Sequence, residues 1–221
     1  MVPEAVTFSS SLRQATRVDH SEAESSEFIA SLMEGKRSAA DYVLLLTQYQ
    51  VIYGTLERAV DARRAEPAVT ELFDPALDRL ASLESDLGLL KEWAGLADTS
   101  LPVVPATDRY AHRIAEVAAE ADPARLLAHH YLRYLGDLSG GQAIGALVAR
   151  HYGVPAEMLT MWSFPEIPKA KPYKDRYREL LDAFAQDHRG EGVVDEAALG
   201  FRLNREVFAE LSGSSPLLAV A

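Results

Sequence analysis

The sequence contains no cysteine. That absence excludes disulfides, zinc–thiolate sites, iron–sulfur clusters and a cysteine nucleophile, and it fits a reducing, cytoplasmic setting. Long apolar runs are missing too. None reaches the ~18–20 residues of a membrane span, and the apolar C-terminal stretch of residues 216–221 is far shorter. No basic patch followed by an apolar run opens the chain, so neither a secretory signal nor a membrane anchor is expected. Basic residues are the scarcer charge: 22 against 33 acidic ones, for a net charge of −11. A nucleic-acid partner needs a positive footprint, so that class is set aside. Alternating strand patterns are also absent.

What is present is helical periodicity along one all-α domain, residues 1–221, with a core at about 9–211 and short, flexible ends. Ser9, Ser10 and Ser11 are candidate caps for a first helix running past His20. Ser38 or Asp41 opens a second helix reaching about Arg64. Along it Tyr42, Leu45, Leu46, Tyr49, Ile52, Tyr53, Leu56 and Val60 recur on one side. Pro75 suits the first turn of a helix toward Leu90, and another helix is expected from Thr107 to Glu120. Asp122-Pro123 reads as a cap followed by a first-turn proline, opening a helix to His151 that Gly153 ends. Pro165, Pro168 and Pro172 punctuate a linker before a helix at about Tyr173–Gln186. Gly190 and Gly192 mark a break before a last helix at about Asp195–Leu211.

The helix after Pro123 carries a defect. Gly136, Gly140, Gly141 and Gly145 fall within it. At roughly 0.8–1 kcal/mol per interior glycine, the four forfeit about 3–4 kcal/mol against alanine. A helix keeps such a loss when it bends, when a large flat body approaches its backbone, or when another helix packs closely. Arg133 and Asp137 on that helix stand at the spacing of an ordinary ion pair. His20 has Glu24 four residues on, placed to orient its imidazole as a metal-bound histidine requires, and Arg13 seven residues before on the same face. The alternative for Arg13 and Glu24 is a solvated stripe. A di-iron carboxylate bundle would need Glu-x-x-His pairs. None of the six histidines has a glutamate three residues before it.

The stretch from His129 to Gln142, HHYLRYLGDLSGGQ, resembles the distal-helix signature of the biliverdin-producing haem oxygenases. The segment Leu12–Glu24, continued by Phe28, Leu32 and Gly35, is similar to their proximal helix. The segments Tyr173–Arg178 and Phe201–Phe208 are similar to their later helices. The resemblance runs in order from about residue 9 to 211 and implies haem held between a proximal helix and a glycine-kinked distal helix. It implies His20 as the axial iron ligand, tuned by Glu24. Gly136 and Gly140 would kink the distal helix against the haem face, and Asp137 would hold the water that protonates activated oxygen. Tyr53, Arg133 and Asn204 would extend that water network, and Phe201 would line the pocket. Arg13, Tyr131, Lys174 and Arg178 would lie near the propionates, with Lys169 a rival to Lys174. Many relatives carry lysine where Arg13 stands. The reaction implied consumes haem b, O2 and electrons and yields biliverdin (of the alpha type), carbon monoxide and ferrous iron. The external electron donor would be a ferredoxin, flavodoxin or reductase. A non-catalytic haem carrier or sensor is the competing reading, and it would not need Asp137.

Overall fold

The computed structural model describes residues 7–188, 190 and 192–213. The flexible ends expected from sequence fall on residues 1–6 and 214–221, outside the described ones. The fold is all-helical, as expected. Its helices are α1 (Phe8–Ala15), α2 (Arg17–Glu24), α3 (Glu27–Met33), α4 (Ala39–Asp61), α5 (Leu80–Trp93), α6 (Pro105–Ala118), α7 (Ala124–Gly136), α8 (Gln142–Tyr152), α9 (Ala170–His188) and α10 (Val193–Gly213).

Helix α4 is the central post. Both of its candidate caps act together: the Ser38 side chain accepts from the Asp41 N–H, and the Asp41 carboxylate accepts from the Ser38 N–H at 2.9 Å. Such a reciprocal box satisfies two of the donors that a helix start leaves orphaned. The apolar positions read from sequence are all buried, and so are Val43 and Leu44 on the remaining side. The first half of α4 is therefore surrounded. Each such side chain removed from water contributes roughly 1.5–3 kcal/mol. Helices α5 and α6 pack on α4, and α10 packs on α6 and α7. Helix α10 also supports α2 and α3, while α1 lies on α9.

Several boundaries differ from the sequence reading for local reasons. Thr7, not the following serines, caps α1 by accepting from the Ser10 N–H. Ser9 is drawn away by Asp182 of α9, donating to it through its backbone at 2.6 Å and its hydroxyl at 3.0 Å. The expected first helix breaks at Thr16, between α1 and α2, where the hydroxyl donates to the Leu12 carbonyl at 2.8 Å. That back-bond competes with the helical ladder. Pro75 opens only a short 3-10 turn, Pro75–Leu77, and α5 starts later at Leu80. Helix α7 starts at Ala124, one residue later than expected, with Pro123 at its N-cap, and the Asp122 carboxylate accepts from the Ala124 N–H at 2.9 Å. Gly153, with φ 69°, ends α8 in the left-handed conformation that favours glycine.

Candidate functional site

Helix α7 does not continue straight into α8. Residues Asp137–Gly141 form a π-helical turn between them. One residue more per turn widens the helix and leaves carbonyls imperfectly paired, and such bulges recur at functional sites. The Ser139 hydroxyl donates to the Leu135 carbonyl across this bulge at 2.6 Å. The four glycines then divide by surroundings. A Cβ on Gly141 would lie 2.8 Å from Trp162 Cε3, and one on Gly145 would lie 3.2 Å from Trp162 Cδ1. Those two glycines exist for close packing. A Cβ on Gly136 or Gly140 would meet nothing within 4 Å. Gly136 borders open space because it lines a cleft.

The cleft has a volume of about 850 Å³, within the range of small-molecule sites. One wall is α1 and α2, contributing Arg13, Thr16, Arg17 and His20. The facing wall is α7 and the π turn, contributing Tyr131, Leu132, Leu135, Gly136 and Ser139. Phe201 of α10 closes one side, and Lys174 and Arg178 of α9 stand at the rim. His20 is half-exposed, and its Nδ1 lies 3.4 Å from Glu24 Oε2. Its ring meets Phe201 edge-on at 5.5 Å. With Nδ1 turned to a carboxylate, the tautomer carrying that proton leaves Nε2 as the bare, donating nitrogen. No described residue engages Nε2.

Behind the second wall lies a buried polar chain. The Tyr53 hydroxyl donates a short hydrogen bond to Asp137 Oδ2. The same hydroxyl accepts from Arg133 Nη2 at 3.0 Å, and Arg133 Nη1 donates to Asn204 Oδ1 at 3.1 Å. The ordinary Arg133–Asp137 ion pair considered from spacing is therefore replaced by a phenol-bridged link. Burial raises the Asp137 carboxyl, while Arg133, the Tyr53 hydrogen bond and Arg79 pull it back. Burial likewise pushes the Tyr53 phenol well up, so it remains a proton donor. Asp137 Oδ1 has no protein partner among the described residues, and 9% of the residue remains open.

The rim is basic in an acidic chain. Arg13 and Arg17 have no carboxylate partner among the described residues. Lys174 Nζ donates to Ser139 Oγ at 3.0 Å, bridging α9 to the π turn. Arg178 Nη1 donates to Asp175 at 2.7 Å. Tyr131, half-buried, has its phenol raised by burial, with Arg178 and Arg13 acting the other way.

The sequence candidates thus fall into three groups. His20, Arg13, Tyr131, Gly136, Lys174, Arg178 and Phe201 line the cleft, and Glu24 touches it through His20. Asp137, Tyr53, Arg133 and Asn204 are joined behind it. Gly140 sits in the π turn, and Lys169 precedes α9 away from the cleft lining, so Lys174 is the lysine at the rim. Arg17 and Ser139 were missed. Arg17 was readable, being four residues after Arg13 and three before His20 on one helical face. Ser139 had no signal, because its placement depends on the π turn.

The family model for Heme oxygenase matches residues 6–210. The chain belongs to the haem oxygenase family. Heme oxygenase 1 of Bos taurus is 34% identical over 210 residues, covering 93% of this chain and 71% of that protein. Heme oxygenase 1 of a Nostoc species is 31% identical, covering 92% of this chain and 85% of its own length. The heme complex of heme oxygenase-1 from Synechocystis superposes with a TM-score of 0.85 at 30% identity, covering 94% of this chain and 93% of that one. The cleft suits the family's ligand on this chain's own features. His20 shares the cleft with Gly136, where the wall has no Cβ, apolar Leu132, Leu135 and Phe201 flank the space, and the cations of Arg13 and Arg17 border one edge. Those are the contacts wanted by a flat, largely apolar plate that carries a metal at its centre and acids at its rim. Among the described residues, no helix is long and apolar enough to cross a membrane.

Proposed function

We propose that this protein binds haem b in the α2–α7 cleft through His20 and cleaves it with O2 and externally supplied electrons to biliverdin, carbon monoxide and ferrous iron. The observation that carries the reading is the pairing of a histidine with an unengaged Nε2 with a facing glycine-bearing π turn backed by a buried carboxylate. Bound haem supplies both the iron that activates oxygen and the ring that is cut.

The protein's own part is ligation, orientation and proton supply. Glu24, with its carboxylate 3.4 Å from His20 Nδ1, orients the ring so that Nε2 can ligate the iron. Gly136 keeps the opposite side clear of a blocking side chain. Asp137, with one oxygen tied to the Tyr53 hydroxyl, offers the other to a water. That water donates the proton needed on the distal side, and Asp137 need not touch the reacting oxygen itself. Arg133 and Asn204 keep the Tyr53 hydroxyl turned toward Asp137. Arg13, Arg17, Lys174 and Arg178 attract the propionates and fix the rotation of the plate, which selects the carbon that is cut and gives the alpha isomer. The same basic edge attracts an acidic donor such as a ferredoxin, flavodoxin or reductase. The absence of cysteine agrees with a cytoplasmic site of action.

Adding haem to the purified protein and recording its optical spectrum tests ligation. Adding reductant in air, with chromatography of the pigment, tests cleavage. Biliverdin is the expected product. A stable haem spectrum with no pigment would make the protein a haem carrier, and no spectral change would remove the haem reading.

A further inference from the structure

Arg133 and Asp137 stand four residues apart on one face, where arginine and aspartate ordinarily close a direct ion pair. Here no ion pair joins them. The Arg133 guanidinium is buried without any carboxylate in hydrogen-bond contact. Its hydrogen bonds go to the Tyr53 phenol and the Asn204 amide, its Nε has no partner, and the Tyr49 hydroxyl also lies within its influence. A buried cation in that position needs compensation from its surroundings. Two aromatic faces supply it. The guanidinium carbon lies 4.4 Å from the Tyr49 ring centroid and 4.6 Å from that of Tyr53. Both distances are within the range of a cation–π contact. Tyr53 is already committed through its hydroxyl. Tyr49 is one turn earlier on α4 and buried, and it meets Tyr53 edge-on at 6.0 Å.

We propose that Tyr49 is a positioning residue whose ring holds the Arg133 guanidinium off Asp137, so that Asp137 keeps the Tyr53 hydroxyl as partner and one oxygen open to water. Its importance for turnover rests on the reading of Asp137 given above, but the placement does not. Without the Tyr49 ring, the guanidinium loses the closer of its two aromatic faces, and the i,i+4 carboxylate competes for it. The groups facing Asp137 are Tyr53 from α4, Arg133 from α7 and Arg79 from the segment before α5. Of the two cations, Arg133 is the one that Tyr49 contacts and the less tightly held, with two hydrogen bonds, whereas Arg79 is held by the carbonyls of Leu77, Ala76, Met161 and Ser163.

The test is carboxyl titration of Asp137 by carbon NMR in the haem-free protein, with Asp137→Asn assigning the signal. Tyr49→Phe keeps the ring and should titrate like the parent. Tyr49→Leu removes the ring, and the Asp137 pKa should fall by about 1–3 units, the shift expected when an arginine closes on an aspartate. If Tyr49→Leu does not fold, fluorinated phenylalanines at position 49 keep the shape while weakening the π face, and the pKa should fall stepwise with fluorine content. An unchanged Asp137 pKa in the ring-deficient or fluorinated proteins overturns the proposal. So does a Tyr49→Phe protein that matches Tyr49→Leu, since the hydroxyl and not the ring would then be responsible. Because no haem is present, failure here leaves the haem oxygenase reading standing, and failure of turnover leaves this titration interpretable.

Discussion

The two walls of the cleft are built in opposite ways. The α2 wall is thin: Ala23 is its only buried residue, and the side chains of His20 and Glu24 are 48% and 71% exposed. It is fastened to α10 by the edge-on contact of His20 with Phe201 and by an ion pair between Glu22 and Arg205. The α7 wall is dense. Ten residues of α7 are buried, and its rear face is anchored by the His129 Nε2–Glu196 bond at 2.9 Å and the His130 Nδ1–Tyr177 bond at 2.9 Å. One wall waits for its ligand to complete it, whereas the other is assembled in advance. Preassembled dipoles help where charge develops, because they need not reorganise during the reaction. A ligating wall has the other task, since the plate must enter and the ring-opened product must leave.

The sharpest way to break the comparison is to remove one functional group from each wall. His20→Ala takes the donor from an exposed helix, so the melting temperature should shift little while turnover falls to background. Added imidazole should restore part of it. Unchanged spectra and activity would take His20 out of the ligand role. Asp137→Ala acts on the dense wall. Haem should still bind, biliverdin formation should be lost, and peroxidase-like side reactions should rise, since an unordered proton supply favours O–O cleavage. A normal biliverdin yield would reduce Asp137 to a structural partner of Tyr53.

The preassembled wall should also carry most of the acid sensitivity. Burial holds the His130 imidazole down to about 3 from its ordinary value. The unfolded chain therefore takes up this proton first, and the associated stability, complete above about pH 6.5, is lost as pH falls toward 3. From about pH 7 to about pH 5 this one group should cost about 2 kcal/mol. Glu196 works lower down. Burial alone would raise it, but hydrogen bonds from His129 and Arg113 outweigh that and bring it to about 2. Its contribution is present above its unfolded value and disappears as pH drops through about 2. Glu57 and Asp137, both raised by burial, pull the other way, so the informative quantity is a difference between variants. Urea unfolding of His130→Phe should show a flatter acid limb between about pH 7 and about pH 5 than the parent. Parallel limbs would mean that His130 is solvated in the native state.

Glycine substitutions separate the two jobs within the dense wall. Gly141→Ala drives a methyl group into Trp162 and should cost about 1–3 kcal/mol with activity per folded molecule kept. Gly136→Ala meets open protein space and should gain up to about 1 kcal/mol in helix propensity while haem binding or turnover drops. Gly140→Leu should likewise cost turnover more than stability. Calorimetry and turnover on one preparation decide the matter, and a matched loss of both at Gly136 would return that glycine to a packing role.

The same division explains what could be read from residues alone. Periodicity and caps sufficed for α4 and for the start of α7, because their buried stripes and the Ser38–Asp41 and Asp122–Pro123 signals are local, but they ran α7 on to His151 where the structure ends it at Gly136. The glycines announced a defect, but not its form. A π turn and a partition of Gly141 and Gly145 from Gly136 depend on Trp162, some twenty residues away, and no local spacing contains that. Likewise, Arg133 and Asp137 read as an ion pair because spacing on a helix ignores what comes across from α4. Tyr53 arrives there and takes the position between them. The break at Thr16 was hidden for the converse reason: a hydroxyl that bonds back to Leu12 leaves no trace in the apolar pattern.

The smallest expected effect tests the rim that joins the two walls. Exposed charges contribute little singly, about 0–1 kcal/mol, so Arg178→Ala should barely change haem affinity. Its effect should appear in product identity. On the proposed reading, Arg178 and Lys174 of α9 would hold one side of the plate, and Arg13 and Arg17 would hold it from the thin wall; all four line the cleft. Removing Arg178 leaves an unbalanced set, and the plate can rotate to bring its acids toward the remaining cations. A second biliverdin isomer should then be detectable by chromatography, in a yield that falls when Arg13 is also replaced. Electron delivery from an acidic donor should slow as salt rises, while turnover driven by a small neutral reductant should not. A single unchanged isomer would show that the dense wall alone fixes the rotation, through the shape set by Leu132, Leu135 and Gly136. The rim would then serve entry and docking, and the contrast between the walls would extend to regiospecificity as well.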